Sequence, residues 1–366
     1  WESVRAASDF MASFYPPHRL PDFAFDPVFS SWYSFQRGIF DDKVLGQCRM
    51  AHELGCRTLI LDDGWQTTPG VEDYSCAGDW FPNGEKFPDM KGFVDKVHEI
   101  GMRAMVWIGP GLCGDASKLS KLYGDKKIPG GWLLDPRFPE VRARMADDIC
   151  RVAKIYGFDG LKIDFIDSFH GDDIAPENAD GRDYLSITEA VEDMVRLITR
   201  HLDGVNPDFL IEYRQNYTGA AVMANANMIR VGDCPQDYLT NRVGAIDLRL
   251  HTHAAVHSDM VQFNPDEPAC VSALQMVNIL FCTPQVSVMF DQISAEQREM
   301  LKFWLNFMSD KRELLQKSEL MPHRCDANYS YVTVRNDDEE LHAMYSERLL
   351  MLDKPRKRVY VVNGVD

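Results

Sequence analysis

Asp159-Gly-Leu-Lys-Ile-Asp-Phe-Ile-Asp167 alternates apolar and charged side chains with the period of a strand. Leu161, Ile163 and Phe165 share one face, and Lys162 and Asp164 the other. A buried strand face that carries both a lysine and a carboxylate is costly unless the two charges serve each other or a ligand. At the C-terminal end of a barrel strand, Asp164 would point into the mouth where substrates bind. A structural Lys–Asp pair is one reading. The functional one is a nucleophilic aspartate kept ionised by a cationic neighbour.

Strand-like and helix-like runs alternate on both sides of this segment. Strands are expected over 29–35, 57–62 and 102–108 before it, and over 208–214, 227–231, 250–256 and 285–290 after it. Helices are expected over 41–54, 92–99, 135–156, 184–201 and 295–308, with Gly55 and Gly101 closing the first two. Asp135, followed by Pro136 and Pro139, reads as a helix cap. Eight β/α units predict an α/β fold, a (β/α)8 TIM barrel over 29–322. Residues 1–28 read as an N-terminal connector. Strands at 329–334, 342–345 and 358–362 read as a partial C-terminal antiparallel β-domain over 323–366. With Trp1 in first place and that domain cut short, the expectation is a fragment of a longer protein.

The 366 residues carry 39 basic and 56 acidic side chains, a net charge of −17. That argues against nucleic acid and anionic membranes and for neutral ligands. No run of about 20 apolar residues is present to span a bilayer, so a soluble protein is expected, of unassigned compartment. Nine cysteines without a CxxC pair point to free thiols rather than a zinc site or disulfide framework.

Barrel chemistry sits at strand ends. The second strand ends in Asp62-Asp63-Gly64-Trp65, adjacent carboxylates that repel unless hydroxyls, a cation or water surround them. Beside a tryptophan, such a pair suits a sugar, whose hydroxyls it accepts from while the indole covers the ring. Trp107 ends the third strand. The fifth ends in Glu212-Tyr-Arg214, of which one is expected to face the mouth, and the sixth in Arg230-Val-Gly-Asp233, with Asp237 close behind. Asp164 and Asp233 lie on strands two apart, so their carboxyls are expected to face each other at about 5–5.5 Å, the spacing of a retaining glycosidase. Lys162 would favour charge on Asp164, and a drier site would hold Asp233 protonated until it donates. His251-Thr-His253, with His257 and Asp259 close behind, resembles a metal-binding pair, but the first strand offers Trp32-Tyr33 where metal-dependent hydrolases carry theirs, so these residues are expected to shape the sugar pocket or be structural. No metal and no cofactor is expected.

Taken in order, these motifs resemble the α-galactosidases of glycoside hydrolase family 36 and its clan, from about Phe29 to about Met308. Leu61-Asp-Asp-Gly-Trp-Gln66 is similar to the segment whose acidic pair binds the galactose 4- and 6-hydroxyls. Gly78-Asp-Trp80, Lys86-Phe-Pro88 and Leu134-Asp-Pro-Arg-Phe-Pro-Glu-Val141 are similar to segments that follow, and Leu161-Lys-Ile-Asp164 to the family's K-x-D. The resemblance implies Asp164 as nucleophile and Asp233 as acid/base, with Asp62, Asp63, Trp65, Trp107, Lys162, Arg214 and Arg230 holding the sugar. Arg230 precedes Asp233 by three residues rather than the four of many relatives, so Asp237 competes for the acid/base role. Glu212-Tyr-Arg-Gln-Asn216 replaces the usual cysteine- and glycine-rich fifth strand, which leaves galactose and N-acetylgalactosamine both open. The implied activity is a retaining α-galactosidase acting on an oligosaccharide or glycoconjugate. Galactosyl transfer, a non-catalytic carbohydrate-binding barrel and a homo-oligomeric assembly stay open.

Overall fold

In the computed structural model, residues 1–129, 131–170, 181–352 and 354–365 are described. Eight short strands run parallel: β1 (Val28–Ser30), β2 (Thr58–Leu61), β3 (Arg103–Ile108), β4 (Gly160–Ile163), β5 (Leu210–Arg214), β6 (Met228–Arg230), β7 (Ala255–His257) and β8 (Gln285–Val286). They pair in the order β7-β6-β5-β4-β3-β2-β1-β8. Parallel bridges His257↔Thr283 and Val261↔Val286 join the two ends. The sheet closes on itself as a (β/α)8 barrel and leaves no unpaired edge.

Alternate residues along each strand point inward. Val28, Ile60, Met105, Leu210, Met228 and Ala255 form an apolar interior layer, sealed by Leu20, Phe23 and Phe25. Two residues further on, the same faces carry buried polar groups, among them Ser30, Asp62, Lys162, Glu212, Arg230 and His257. The interior is therefore a greasy base beneath a charged upper layer. Gly160 completes the lower layer without a side chain. A Cβ there would lie 2.6 Å from Leu210 Cβ and 2.8 Å from both Leu210 O and Met105 Cγ. Gly160→Ala is expected to destabilise the barrel by about 1–3 kcal/mol through overpacking; a urea midpoint equal to the parent's would show that the layer has slack.

Several boundaries differ from the sequence expectation. β1 stops at Ser30, and Trp32–Phe35 forms a helical turn. The chain bends there because Ser34 N–H donates to Ser287 Oγ at 3.0 Å and Ser31 Oγ accepts from Asp62 N–H at 2.9 Å. Leu250 and His251 end the helix Tyr238–His251 instead of starting the seventh strand. Thr252 N–H still bonds Leu248 O at 2.9 Å, so the helical ladder outlasts the β-prone composition. Asp135 caps nothing, since the helix Pro139–Tyr156 starts after Phe138. Its buried carboxylate instead accepts from Arg137 Nη2 at 2.9 Å and Arg182 Nε at 3.0 Å.

Beyond the barrel, β9 (Glu319–His323), β10 (Tyr331–Arg335), β11 (Glu339–Met344) and β12 (Arg358–Asn363) form a second sheet. β9 to β11 pair antiparallel, whereas β12 joins β11 in parallel. Leu320, Val332, Val334, Leu341 and Ala343 bury one face of this sheet in the barrel's outer core, together with Leu314 and Leu315. All nine cysteines are free thiols. No helix among the described residues is long and apolar enough to cross a membrane.

Candidate active site

Asp164 follows β4 directly and keeps its backbone in the ladder, donating to Ile108 O at 2.9 Å. Phe165 then takes a left-handed conformation, with φ of 64°. The chain turns there, so Phe165 leaves the face that alternation had assigned to it. Its N–H folds back onto Asp164 Oδ1 at 2.8 Å. Arg214 Nε donates to the same oxygen at 2.5 Å, and Trp107 Nε1 donates to Oδ2 at 3.0 Å. Burial pushes the Asp164 carboxyl up. The charges of Lys162 and Arg214, with hydrogen bonds from Arg214 and Trp107, outweigh burial and hold it below the usual carboxylate range.

Lys162 does not bond Asp164. Its Nζ reaches across the interior to Asp62 Oδ2 at 2.6 Å, and it acts on Asp164 only through its field. The adjacent carboxylates each have their own cation, since Asp63 Oδ2 accepts from Arg37 Nε at 2.7 Å. This division of partners is what lets Asp62 and Asp63 sit side by side, both nearly sealed from water. Trp65 offers no open face to a sugar. Its indole is fully buried, stacks on Trp80 at 6.3 Å, and donates Nε1–H to Trp107 O at 2.9 Å.

Glu212 and Arg214 share the inner face, as residues two apart on a strand do, and of the two Arg214 stands at the mouth. Arg214 reaches Asp164, while Glu212 lies one layer deeper, accepting from Gln285 Nε2. Burial drives the Glu212 carboxyl up to about 7, against the opposing fields of Lys162 and Arg230. Arg214 and Arg230 are direct register partners on β5 and β6. Arg230 Nη2 donates to Asp233 Oδ1 at 2.8 Å, so neighbouring guanidiniums hold the two candidate carboxylates.

Asp233 departs from the expected dry, protonated acid. Its side chain is 58% exposed. Burial raises its carboxyl, but Arg230, Lys162 and Arg214 together lower it below the ordinary value. Asp237 is occupied as the cap of the helix Tyr238–His251, accepting from Thr240 N–H at 3.0 Å and Thr240 Oγ1 at 2.6 Å.

Arg37 escaped the sequence reading, and Asp259, expected only to shape the pocket or be structural, stands at the site. Asp259 is fully buried and accepts from Arg230 Nη1, from Tyr33 Oη at 3.0 Å and from Cys234 N–H at 2.7 Å. Arg37 binds Asp63 and lies 4.5 Å over the Tyr74 ring. The one signal for Asp259 was its position, two residues past a barrel strand. For Arg37 there was none. The histidines do not gather into a ligand set. His251 bonds Asp247 O at 2.6 Å, His253 lies 3.3 Å from Ser8 Oγ, and buried His257 bonds Ala24 O at 2.7 Å. Among the described residues, no group of three or more His, Cys, Asp or Glu stands in a metal-binding arrangement.

Comparison with known proteins agrees with the barrel fold. Residues 25–135 match the Melibiase family model. The A type blood α-D-galactosamine galactosaminidase of Flavonifractor plautii is 30% identical over 174 residues, covering 41% of this chain and 15% of that protein. The bifunctional α-galactosidase/sucrose kinase AgaSK of Mediterraneibacter gnavus is 26% identical over 231 residues, 60% of this chain and 23% of that protein. The chain thus spans only a minor part of these relatives. A variant of α-galactosidase AgaA from Geobacillus stearothermophilus, solved with stachyose, shares the fold with a TM-score of 0.73 at 15% identity, over 90% of this chain and 48% of that one. The chain is thus similar over residues 25–135 to the Melibiase family, and its curated and structural neighbours are α-galactosidases, among them members of glycoside hydrolase family 36, and a galactosaminidase.

Proposed function

We propose that this barrel is the catalytic part of a retaining α-glycosidase that releases terminal α-linked galactose from an oligosaccharide or glycoconjugate. The observation that carries the reading is the setting of Asp164. It is a partly buried carboxylate at a barrel strand end, fixed by three donors and kept charged by two cations. A charged, fixed carboxylate at that position is suited to attack an anomeric carbon. Asp164 attacks C1 while the glycosidic C1–O bond breaks and the leaving oxygen takes a proton from Asp233. Asp233 then takes a proton from water, whose oxygen attacks C1 and frees Asp164. Asp62, Asp63, Lys162, Arg214 and Arg230 hold the sugar, while buried Trp107 fixes Asp164 through its Nε1–H and Trp65 bonds the Trp107 carbonyl. No cofactor enters either step.

Arg230, with Lys162 and Arg214, outweighs burial and keeps Asp233 charged. A sugar seated over its exposed side removes water, and that desolvation drives the carboxyl toward the protonated form that the first step needs. The direct test is a panel of aryl α-glycosides with the product anomer followed by NMR. Aryl α-galactoside should be cleaved with α-galactose appearing first. β-Galactose as first product would exclude the double displacement, and binding without cleavage would favour a non-catalytic barrel.

A second reading has its own support in the galactosaminidase relative and in Arg214, which stands beside Asp164 on the fifth strand, the one that by resemblance to the family reads the C2 substituent. Comparing aryl α-galactoside with the α-galactosaminide and its N-acetyl form separates these substrates. Running the same assay at high sugar concentration separates hydrolysis from galactosyl transfer.

A further inference from the structure

We infer that Trp132, backed by Tyr74 and Phe165, is a platform for the leaving group, so that the site takes aglycones with a flat apolar face, such as a sugar ring or an aryl group. This rests on the α-glycosidase reading above and extends it from the galactose to the group it is attached to. Trp132 lies in the segment that follows β3, Tyr74 in that following β2, and Phe165 directly after Asp164. All three therefore belong to the end of the barrel where Asp164 lies.

The rings form a continuous line. Trp107, whose Nε1 holds Asp164, stacks on Tyr74 at 6.3 Å with the planes 19° apart. Tyr74 in turn lies 6.0 Å from Trp132, and Trp132 meets Phe165 edge-on at 5.2 Å. The inner members are covered, but Trp132 is 42% exposed. An indole left open beside buried Leu133 and Leu134 costs free energy in water. It is also held in place. Ile128 N–H bonds Leu133 O at 2.9 Å, and Leu134 N–H bonds Gly111 O at 2.9 Å, which pins the backbone on the C-terminal side of Trp132. A fixed, open aromatic face two rings along from the residue that holds the candidate nucleophile is placed to meet what lies beyond the scissile oxygen. The axial C–H groups of a sugar ring, or an aryl ring, would cover it.

The test measures kcat/KM of the chain and of Trp132→Ala on raffinose, p-nitrophenyl α-galactoside and α-galactosyl fluoride, whose leaving group is too small to reach the indole. The ratios of raffinose to fluoride and of aryl galactoside to fluoride should each fall about tenfold, the scale of one lost aromatic contact with its buried area. Trp132→Phe, which keeps a smaller face and guards against a folding defect in the alanine variant, should fall in between. Unchanged ratios, whether from no loss or from an equal loss on all three substrates, would overturn the platform. Inactivity of the unmutated chain on all three, the fluoride included, would overturn the glycosidase reading itself and the platform with it.

Discussion

Replacing Asp164 with glycine is expected to abolish cleavage of aryl α-galactosides, by at least about 10⁴-fold in kcat, the scale of removing a nucleophile from a set of groups that act together. Added azide should restore part of the turnover and yield β-galactosyl azide. The stereochemistry follows from the proposed geometry. Asp164 approaches C1 from the face opposite the leaving oxygen, and a small anion in the vacated space attacks from the same side. The fold should survive the change. Arg214 loses its 2.5 Å partner but retains Asp167 at 3.3 Å and Gln215 O at 3.2 Å, and it is not sealed from water. A melting temperature within a few degrees of the parent's is therefore expected. Parent-like turnover in the glycine variant, or α-galactosyl azide as the product, would remove Asp164 from the mechanism.

The barrel was legible because its signals are local. Alternation placed Lys162 and Asp164 on one inner face, and Gly55, Gly101 and Gly157 do follow helix ends with positive φ. What the sequence could not give was the choice of partner. Lys162 and Asp164 are two residues apart, so pairing them was natural, yet Lys162 spends its hydrogen bond on Asp62, a hundred residues earlier. That selection depends on how strands stack around a closed sheet, and no spacing rule encodes it. The same holds for Trp65, whose indole turns inward because Trp107 O is there to accept its N–H. Strand ends failed for a different reason. The turn at Phe165 and the helical turn at Trp32–Phe35 put β-prone aromatic residues into non-strand conformations, and composition alone assigned them to strands. Asp233 was misjudged in its protonation because Arg230 was visible beside it, but its exposure was not.

Asp259→Asn should have the largest effect on stability and should also move the pH profile. Asp259 is sealed from solvent, with Oδ1 facing Arg230 Nη1 and Oδ2 facing Tyr33 Oη and Cys234 N–H. An amide presents one acceptor and one donor, so whichever way the substituted side chain turned, its NH₂ would meet a donor. Breaking a buried pair from one side costs about 3–5 kcal/mol, because the opposite charge is left uncompensated; denaturant unfolding would read this. The catalytic consequence has a definite sign. Arg230 holds both Asp259 and Asp233, and with position 259 neutral the negative charge that opposes ionisation of Asp233 is gone, so the Asp233 carboxyl falls further. The general acid must be protonated in the complex, so its earlier loss of the proton shifts the alkaline limb of kcat to lower pH, by about one unit if the lost repulsion is worth about 1.4 kcal/mol. Glu212 tempers this shift. Its Oε1 stands 4.0 Å from Arg230 Nε, and its proton, held up to about 7, can be released to supply the missing negative charge. A purely structural Asp259 would cost stability and depress activity equally at every pH, so a stationary alkaline limb in a folded variant would break the proposed chain from Asp259 through Arg230 to Asp233.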